Sequence, residues 1–153
     1  MAADAATVHA SAVLAGARAV LIRGPAGAGK SQLALSLIQA ADTGLLRFAR
    51  LVGDDRVHLE ARHRRLLVRP AGALAGLIEV RGLGIRRLDY EPVAVVGLVV
   101  DLAAEDAERL PAASETVVLG VPVPRVPLAA GVAPLRPVLA ALRSPEGDIK
   151  PQS

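Results

Sequence analysis

Ala19-Val20-Leu21-Ile22-Arg23-Gly24-Pro25-Ala26-Gly27-Ala28-Gly29-Lys30-Ser31-Gln32-Leu33-Ala34-Leu35-Ser36-Leu37-Ile38 is the stretch that decides the fold. Its first four residues read as a short buried strand, and Gln32 to Ile38 read as helix. Between them Gly24 to Ser31 spell G-x-x-x-x-G-K-S, a phosphate-binding loop in the strand–loop–helix setting that this motif requires. The glycines let the backbone curl until several N–H groups face one hollow, at the positive end of the following helix dipole. Lys30 has the reach and charge for β- and γ-phosphates, and the Ser31 hydroxyl can ligate a magnesium ion. The loop therefore predicts binding of a nucleoside triphosphate with Mg²⁺.

Upstream, Ser11 to Ala15, Gly16-Ala17-Arg18 and Ala19 to Ile22 read as a β-hairpin feeding the loop. Downstream, a helix from Ser31 to about Ala41 carries Leu33, Leu37 and Ala40 on one face and stops at Asp42-Thr43-Gly44. Arg50-Leu51-Val52-Gly53 is a strand that delivers Asp54 and Asp55 at its end. Val57 to Glu60 and Leu66 to Arg69 form a hairpin around Arg62-His63-Arg64-Arg65. Leu77 to Val80 is a further strand, followed by the glycine-punctuated Arg81-Gly82-Leu83-Gly84-Ile85.

Val93 to Asp101 is β-branched and continuously apolar, the pattern of a central strand buried on both faces. Glu105 to Leu110 suggests a helical turn, and Thr116 to Val126 a strand pair around Gly120. Pro122 and Pro124 direct the end of that pair to a sheet edge. Pro134 to Arg143 reads as a closing helix. The expectation is an α/β fold, a mixed β-sheet with few helices, in a single domain over residues 1–145 with a flexible polar tail at 146–153.

With 153 residues, 52% of them apolar, the chain can bury roughly 70% of the surface its unfolded form exposes. Phe48 and Tyr90 are the only aromatics, so the core is Val, Leu, Ile and Ala. The absence of cysteine excludes disulfides, thiolate metal sites and cysteine nucleophiles, and fits a reducing, cytoplasmic setting. The net charge of +3 rests on arginine; lysine occurs only at Lys30 and Lys150. The Arg62 to Arg65 cluster, with Arg69, reads as a solvated hairpin tip rather than a nucleic-acid surface, because no aromatic stacking platform accompanies it. No membrane or export segment is expected: the N-terminus lacks a basic n-region, its apolar run is broken by Arg18, and Pro92 to Ala104 is about half the ~20 residues of a spanning helix.

A phosphate loop binds, but transfer of a phosphoryl group also needs a metal site and a group that orients the nucleophile. Asp54 and Asp55 end a strand where acidic residues of such enzymes approach Mg²⁺ and the γ-phosphate, although Asp-Asp-Arg is equally ordinary turn chemistry. Glu79 is a carboxylate inside an apolar strand, with Arg81 expected on the same face because strand side chains alternate. That pair reads either as a surface salt bridge or as a metal ligand with a cation beside the phosphates. His9 stands just ahead of the first strand.

Four segments in this order resemble the catalytic domain of HPr kinase/phosphorylase: Thr7-Val8-His9-Ala10-Ser11, the loop Gly24 to Ser31, Leu51-Val52-Gly53-Asp54-Asp55-Arg56-Val57, and Ile78 to Ile85. The resemblance covers about residues 7–87 and is most specific at Glu79-Val80-Arg81-Gly82-Leu83-Gly84-Ile85. It implies a P-loop kinase core related to phosphoenolpyruvate carboxykinase, and ATP- and Mg²⁺-dependent phosphorylation of a seryl residue on HPr or an HPr-like phosphocarrier. Reversal by phosphorolysis and a homo-oligomer belong to the same family.

Carried over, Lys30 contacts the transferring phosphates, Ser31 and Glu79 hold Mg²⁺, and one of Asp54 and Asp55 exchanges the seryl proton, with His9 and Arg81 nearby. The chain resembles the short form that lacks an N-terminal domain. Gln32 stands where the family usually has Glu. Pro127-Leu128-Ala129-Ala130-Gly131-Val132 lacks the arginines of the matching family stretch, with Arg125 and Arg136 as the nearby candidates to replace them. Two other readings compete. One is a nucleotide-responsive module that binds ATP without transfer; the other is a small-metabolite kinase, which leaves the early hairpin and the Glu79–Ile85 segment unexplained.

Overall fold

The computed structural model describes residues 7–107 and 114–143, which form eleven strands, two α-helices and a short 3₁₀ turn at Gly72–Leu74. In chain order the strands are β1 (Thr7–His9), β2 (Ser11–Ala15), β3 (Arg18–Arg23), β4 (Ala49–Gly53), β5 (Arg56–Arg62), β6 (Arg65–Pro70), β7 (Leu77–Val80), β8 (Gly84–Arg87), β9 (Ala94–Leu102), β10 (Ser114–Val118) and β11 (Val121–Leu128). The helices are α1 (Lys30–Asp42) and α2 (Leu135–Arg143). The expected α/β class, a mixed sheet with few helices, is what forms. No helix of the described residues is long and apolar enough to cross a membrane.

Nine strands make one mixed sheet in the order β1-β5-β6-β9-β3-β2-β4, with β11 on β9 and β10 on β11. β3, β9 and β11 run parallel; the other pairs in this sheet are antiparallel. β9 is the hub. One edge pairs with β3, while the other is shared, with β6 at Ala94 and Val95 and with β11 from Val99 to Leu102. Its continuous apolar run suits this central place, where most of its residues are buried. β7 and β8 pair only with each other, as a separate hairpin.

Two cores lie on opposite faces. Val13, Val20, Ile22, Leu98 and Val100 face α1 and α2, which contribute Leu33, Leu37, Val138 and Leu139. Ala12, Ala19, Leu21, Val52 and Val99 face the other way, against Val57, Leu66, Val68 and Val123 of the curling sheet. In β9 the alternation changes phase: Ala94 and Val96 belong to the second core, Leu98 and Val100 to the first. A bulge at Gly97 causes it, because Ala19 pairs with Val96 but Val20 with Leu98. A Cβ on Gly97 would lie 2.6 Å from Arg18 Cδ, so the close approach suits glycine.

The strand pair around Gly120 forms as β10 and β11, but β11 is interior and β10 is the edge. Pro122 and Pro124 are tolerated because the ladder from β11 to β9 begins only at Arg125. Residues 108–110 of the expected turn and the tail at 146–153 lie outside the described residues.

Candidate functional site

β3 ends at Arg23 and α1 begins at Lys30, so the phosphate loop fills the turn between the central parallel strands and the helix they carry. Gly27 (φ 83°) and Gly29 (φ 102°) take left-handed backbone at little steric cost. Gly24 has to be small, since a Cβ there would lie 3.1 Å from Leu102 Cβ and its carbonyl oxygen. The loop closes on itself through Ala28 N–H to the Pro25 carbonyl at 3.0 Å. Lys30 Nζ donates to the carbonyls of Gly24 at 2.8 Å and Pro25 at 3.2 Å. No side chain caps the start of α1 and no acidic residue sits in its first turn. The leading N–H groups therefore keep their positive end for an anion.

Facing the loop is a hollow of about 720 Å³ that His9, Lys30, Ser31, Asp55, Glu79 and Arg81 border. They arrive on separate elements: His9 at the end of β1, Lys30 and Ser31 at the start of α1, Asp55 from the β4–β5 turn, Glu79 on β7. His9 is thus in a short strand of its own, paired with β5 at Arg56, rather than ahead of the first strand. Arg81 does not sit on a strand beside Glu79 as alternation suggested; β7 ends at Val80, and Gly82 (φ 88°) and Gly84 (φ 89°) turn the chain back into β8. It reaches the hollow from that turn.

Structure separates the two aspartates. Asp54 is buried at 4% exposure and accepts three donors. Ser11 Oγ donates to Oδ1 at 2.6 Å, Ser31 Oγ to Oδ1 and Oδ2 at 2.7 and 2.9 Å, and the Glu79 N–H to Oδ2 at 3.3 Å. Asp54 thus ties β2, α1 and β7 together behind the hollow. Asp55 is exposed, in left-handed backbone (φ 72°) that aspartate tolerates, and borders the hollow directly. Its own carbonyl accepts the Ala10 N–H at 3.2 Å. The Ser31 hydroxyl commits its proton to Asp54, which leaves its lone pairs for a cation. Mg²⁺ takes hard oxygen donors and retains several waters, so Ser31, the Glu79 carboxylate and phosphate oxygens form a fitting set.

Beside the loop root lies a cluster that sequence reasoning did not single out. Arg23 Nε and Nη2 donate to Asp101 at 2.7 and 2.8 Å, and Arg125 Nε donates to Asp101 at 2.5 Å. Arg125 also grips Asp106 through both Nη atoms, at 2.8 and 3.0 Å. Burial pushes the Asp101 carboxyl up, but the two guanidinium groups outweigh it and hold the carboxyl below the ordinary 3.8. The hydrogen bonds that Arg125 donates to Asp106 and Asp101 in turn push its guanidinium up. Arg125 is therefore engaged away from the hollow, and Arg136 does not border it either. Ser11 was also missed; its signal was a hydroxyl at the head of an otherwise apolar buried strand.

Comparison with known proteins agrees in extent and in shape. The sequence profile of the family described as HPr Serine kinase C-terminal domain matches residues 1–134. The chain is 45% identical over 67 residues to HPr kinase/phosphorylase of Limosilactobacillus reuteri, covering 43% of this chain and 19% of that protein. It is 39% identical over 66 residues to HPr kinase/phosphorylase of Mycoplasma mycoides, again 43% and 19%. The match thus spans about a fifth of the length of these curated relatives. The solved structure of the Hpr(Ser) kinase/phosphatase from Coxiella burnetii superposes with a TM-score of 0.73 at 27% identity, covering 90% of this chain and 94% of that one.

Proposed function

The chain belongs to the HPr serine kinase C-terminal domain family, and from that premise we propose that it transfers the γ-phosphoryl group of ATP to a seryl hydroxyl of an HPr-like phosphocarrier protein. The observation that carries this reading is the division of labour between the aspartates: one carboxylate is buried and triply bonded, its neighbour open beside the phosphate loop. In this reading Gly24 to Ser31 cradle the phosphates through backbone N–H groups. Lys30 leaves the loop carbonyls to neutralise charge that builds on the transferring group.

Asp55 accepts the seryl proton as the seryl oxygen bonds to phosphorus and the bond to the ADP oxygen breaks. Asp54 holds Ser31 and Ser11 in place and does not touch the reacting atoms. His9 and Arg81 flank the phosphates. Bound Mg²⁺, held by Ser31 and Glu79, supplies Lewis-acid stabilisation of the phosphate oxygens. Such a reaction belongs in the cytoplasm.

The test incubates the purified protein with Mg²⁺, γ-labelled ATP and the HPr-type carrier of the same organism, and follows label on the carrier by mass. Label on a seryl residue is the expected result, lost in Asp55→Asn. ATP binding by calorimetry without label on the carrier would replace this reading by the nucleotide-responsive module. Two observations favour that second reading: residues 127–132 contain no arginine, and Arg125 is bound to two carboxylates. The same observations set the expectation that phosphorolysis is weak or absent.

A further inference from the structure

The first turns of α1 have two open sides. One faces the phosphate hollow. The other faces a cleft of about 470 Å³ between α1, the end of β7 and the Ala133-Pro134-Leu135 segment that leads into α2. The two spaces meet at Gly29, Gln32, Val80 and Arg81, which border both.

We infer that this cleft takes the nucleoside end of the nucleotide whose phosphates the loop holds, an inference that rests on the nucleotide reading above. Continuity is the first argument. Gln32 directly follows Ser31, so the rest of a nucleotide held at Lys30 and Ser31 has a way out past Gln32 into the cleft. Two further hollows of the described residues, about 530 Å³ beside Arg50 and Tyr90 and about 430 Å³ beside Gly16 and Leu142, share no residue with the phosphate site.

Size is the second argument, because small-molecule sites occupy roughly 300–1,000 Å³. Chemistry is the third. The hollow is charged, with Lys30, Asp55 and Glu79, whereas the cleft offers Leu35, Pro134 and Leu135 for the face of a base and Gln32 and Ser36 for hydroxyl and ring nitrogen partners. Neither Phe48 nor Tyr90 borders it, so the base packs on aliphatic groups.

Two variants and two probes test this. Ser36→Phe fills the cleft from the helix side and Leu135→Ala removes apolar wall from the other, neither touching the phosphate loop. Calorimetry compares magnesium ATP with magnesium tripolyphosphate, which carries the phosphates without a nucleoside, and thermal unfolding verifies that each variant folds. The expected result is ATP binding weakened about tenfold or more by Ser36→Phe and by several-fold in Leu135→Ala, with tripolyphosphate binding unchanged within about twofold. ATP affinity unchanged in both variants would overturn the inference, as would equal weakening of ATP and tripolyphosphate. If the unaltered protein binds neither probe, the nucleotide reading itself fails, and the inference with it.

Discussion

Replacing Asp54 by asparagine keeps the shape of the side chain and removes one acceptor and the charge. In the native site Oδ1 takes the Ser11 and Ser31 hydroxyls and Oδ2 takes the Glu79 N–H together with the second branch from Ser31. An amide oriented to keep its oxygen on the two hydroxyls turns its NH₂ towards the Glu79 N–H, donor against donor. The bonds that remain lose their charge assistance, worth about 1.5–3 kcal/mol each against about 1 for a neutral bond, and the orphaned N–H adds about 1–3 kcal/mol. A destabilisation of about 3 kcal/mol follows, which lowers Tm by about 6–12 °C for a chain of this size.

Asp55→Asn is the matched control. Its side chain is exposed and its left-handed backbone suits asparagine as well as aspartate, so its Tm moves by no more than about 2 °C while phosphoryl transfer stops. Thermal unfolding by circular dichroism, run alongside the carrier-labelling assay, reads both. Equal Tm values for the two variants, or a larger loss in Asp55→Asn, would refute the assignment of the buried carboxylate to architecture and the open one to chemistry.

Lys30→Ala weakens ATP binding about 10- to 150-fold, the worth of one charge-assisted contact, and abolishes transfer; unchanged titration calorimetry would contradict the loop assignment. Asp101 has a folded-state pKa below its unfolded value, so its contribution to stability is complete above about pH 4 and is lost as pH falls further, through the lowered folded value. The acid limb of the stability–pH curve is therefore shallower in Asp101→Asn than in the unaltered protein, and identical limbs would show that its pairing with Arg23 and Arg125 contributes nothing. Gly53→Ala places a Cβ 2.7 Å from Val57 Cγ1, held in the core, and 3.3 Å from Pro70 Cα, backbone at the end of β6, and destabilises by about 1–3 kcal/mol; a urea midpoint at or above that of the unaltered protein would contradict the crowding.

Local chemistry made much of this molecule legible. The loop, its hairpin and α1 announce themselves through glycine spacing and helical periodicity within one stretch, and the apolar run ending at Asp101 marked the hub strand. What escaped was set by pairing between distant segments. A run that is buried on both faces has no period to break, so the phase change at Gly97 left no trace in the pattern of Ala94 to Leu102. Ser11 and Asp54 are 43 residues apart, and only the register of β2 against β4, with Ala12 opposite Gly53, brings them together. Asp101 looked like no more than the end of a strand, because its two arginine partners lie on neighbouring parallel strands. Arg81 was misplaced because alternation holds only while the strand lasts, and left-handed glycines end it one residue earlier.

The hairpin of β7 and β8 stands apart from the large sheet and shows Leu83 and Ile85 to solvent at 63% and 66% exposure. Its ties to the rest include the buried side chain of Ile78 and the Glu79 N–H on Asp54. The phosphate hollow thus has walls of unequal stiffness. On one side the loop is rooted in three parallel strands pinned by Arg23, Asp101 and Arg125; on the other, Glu79 rides on a two-stranded leaf. Amide hydrogen exchange should read this as slow exchange in β3 and β9 and fast exchange in β8. A phosphate chain laid on the rigid wall would find its position set in advance, and the carboxylate opposite would have room to adjust to it.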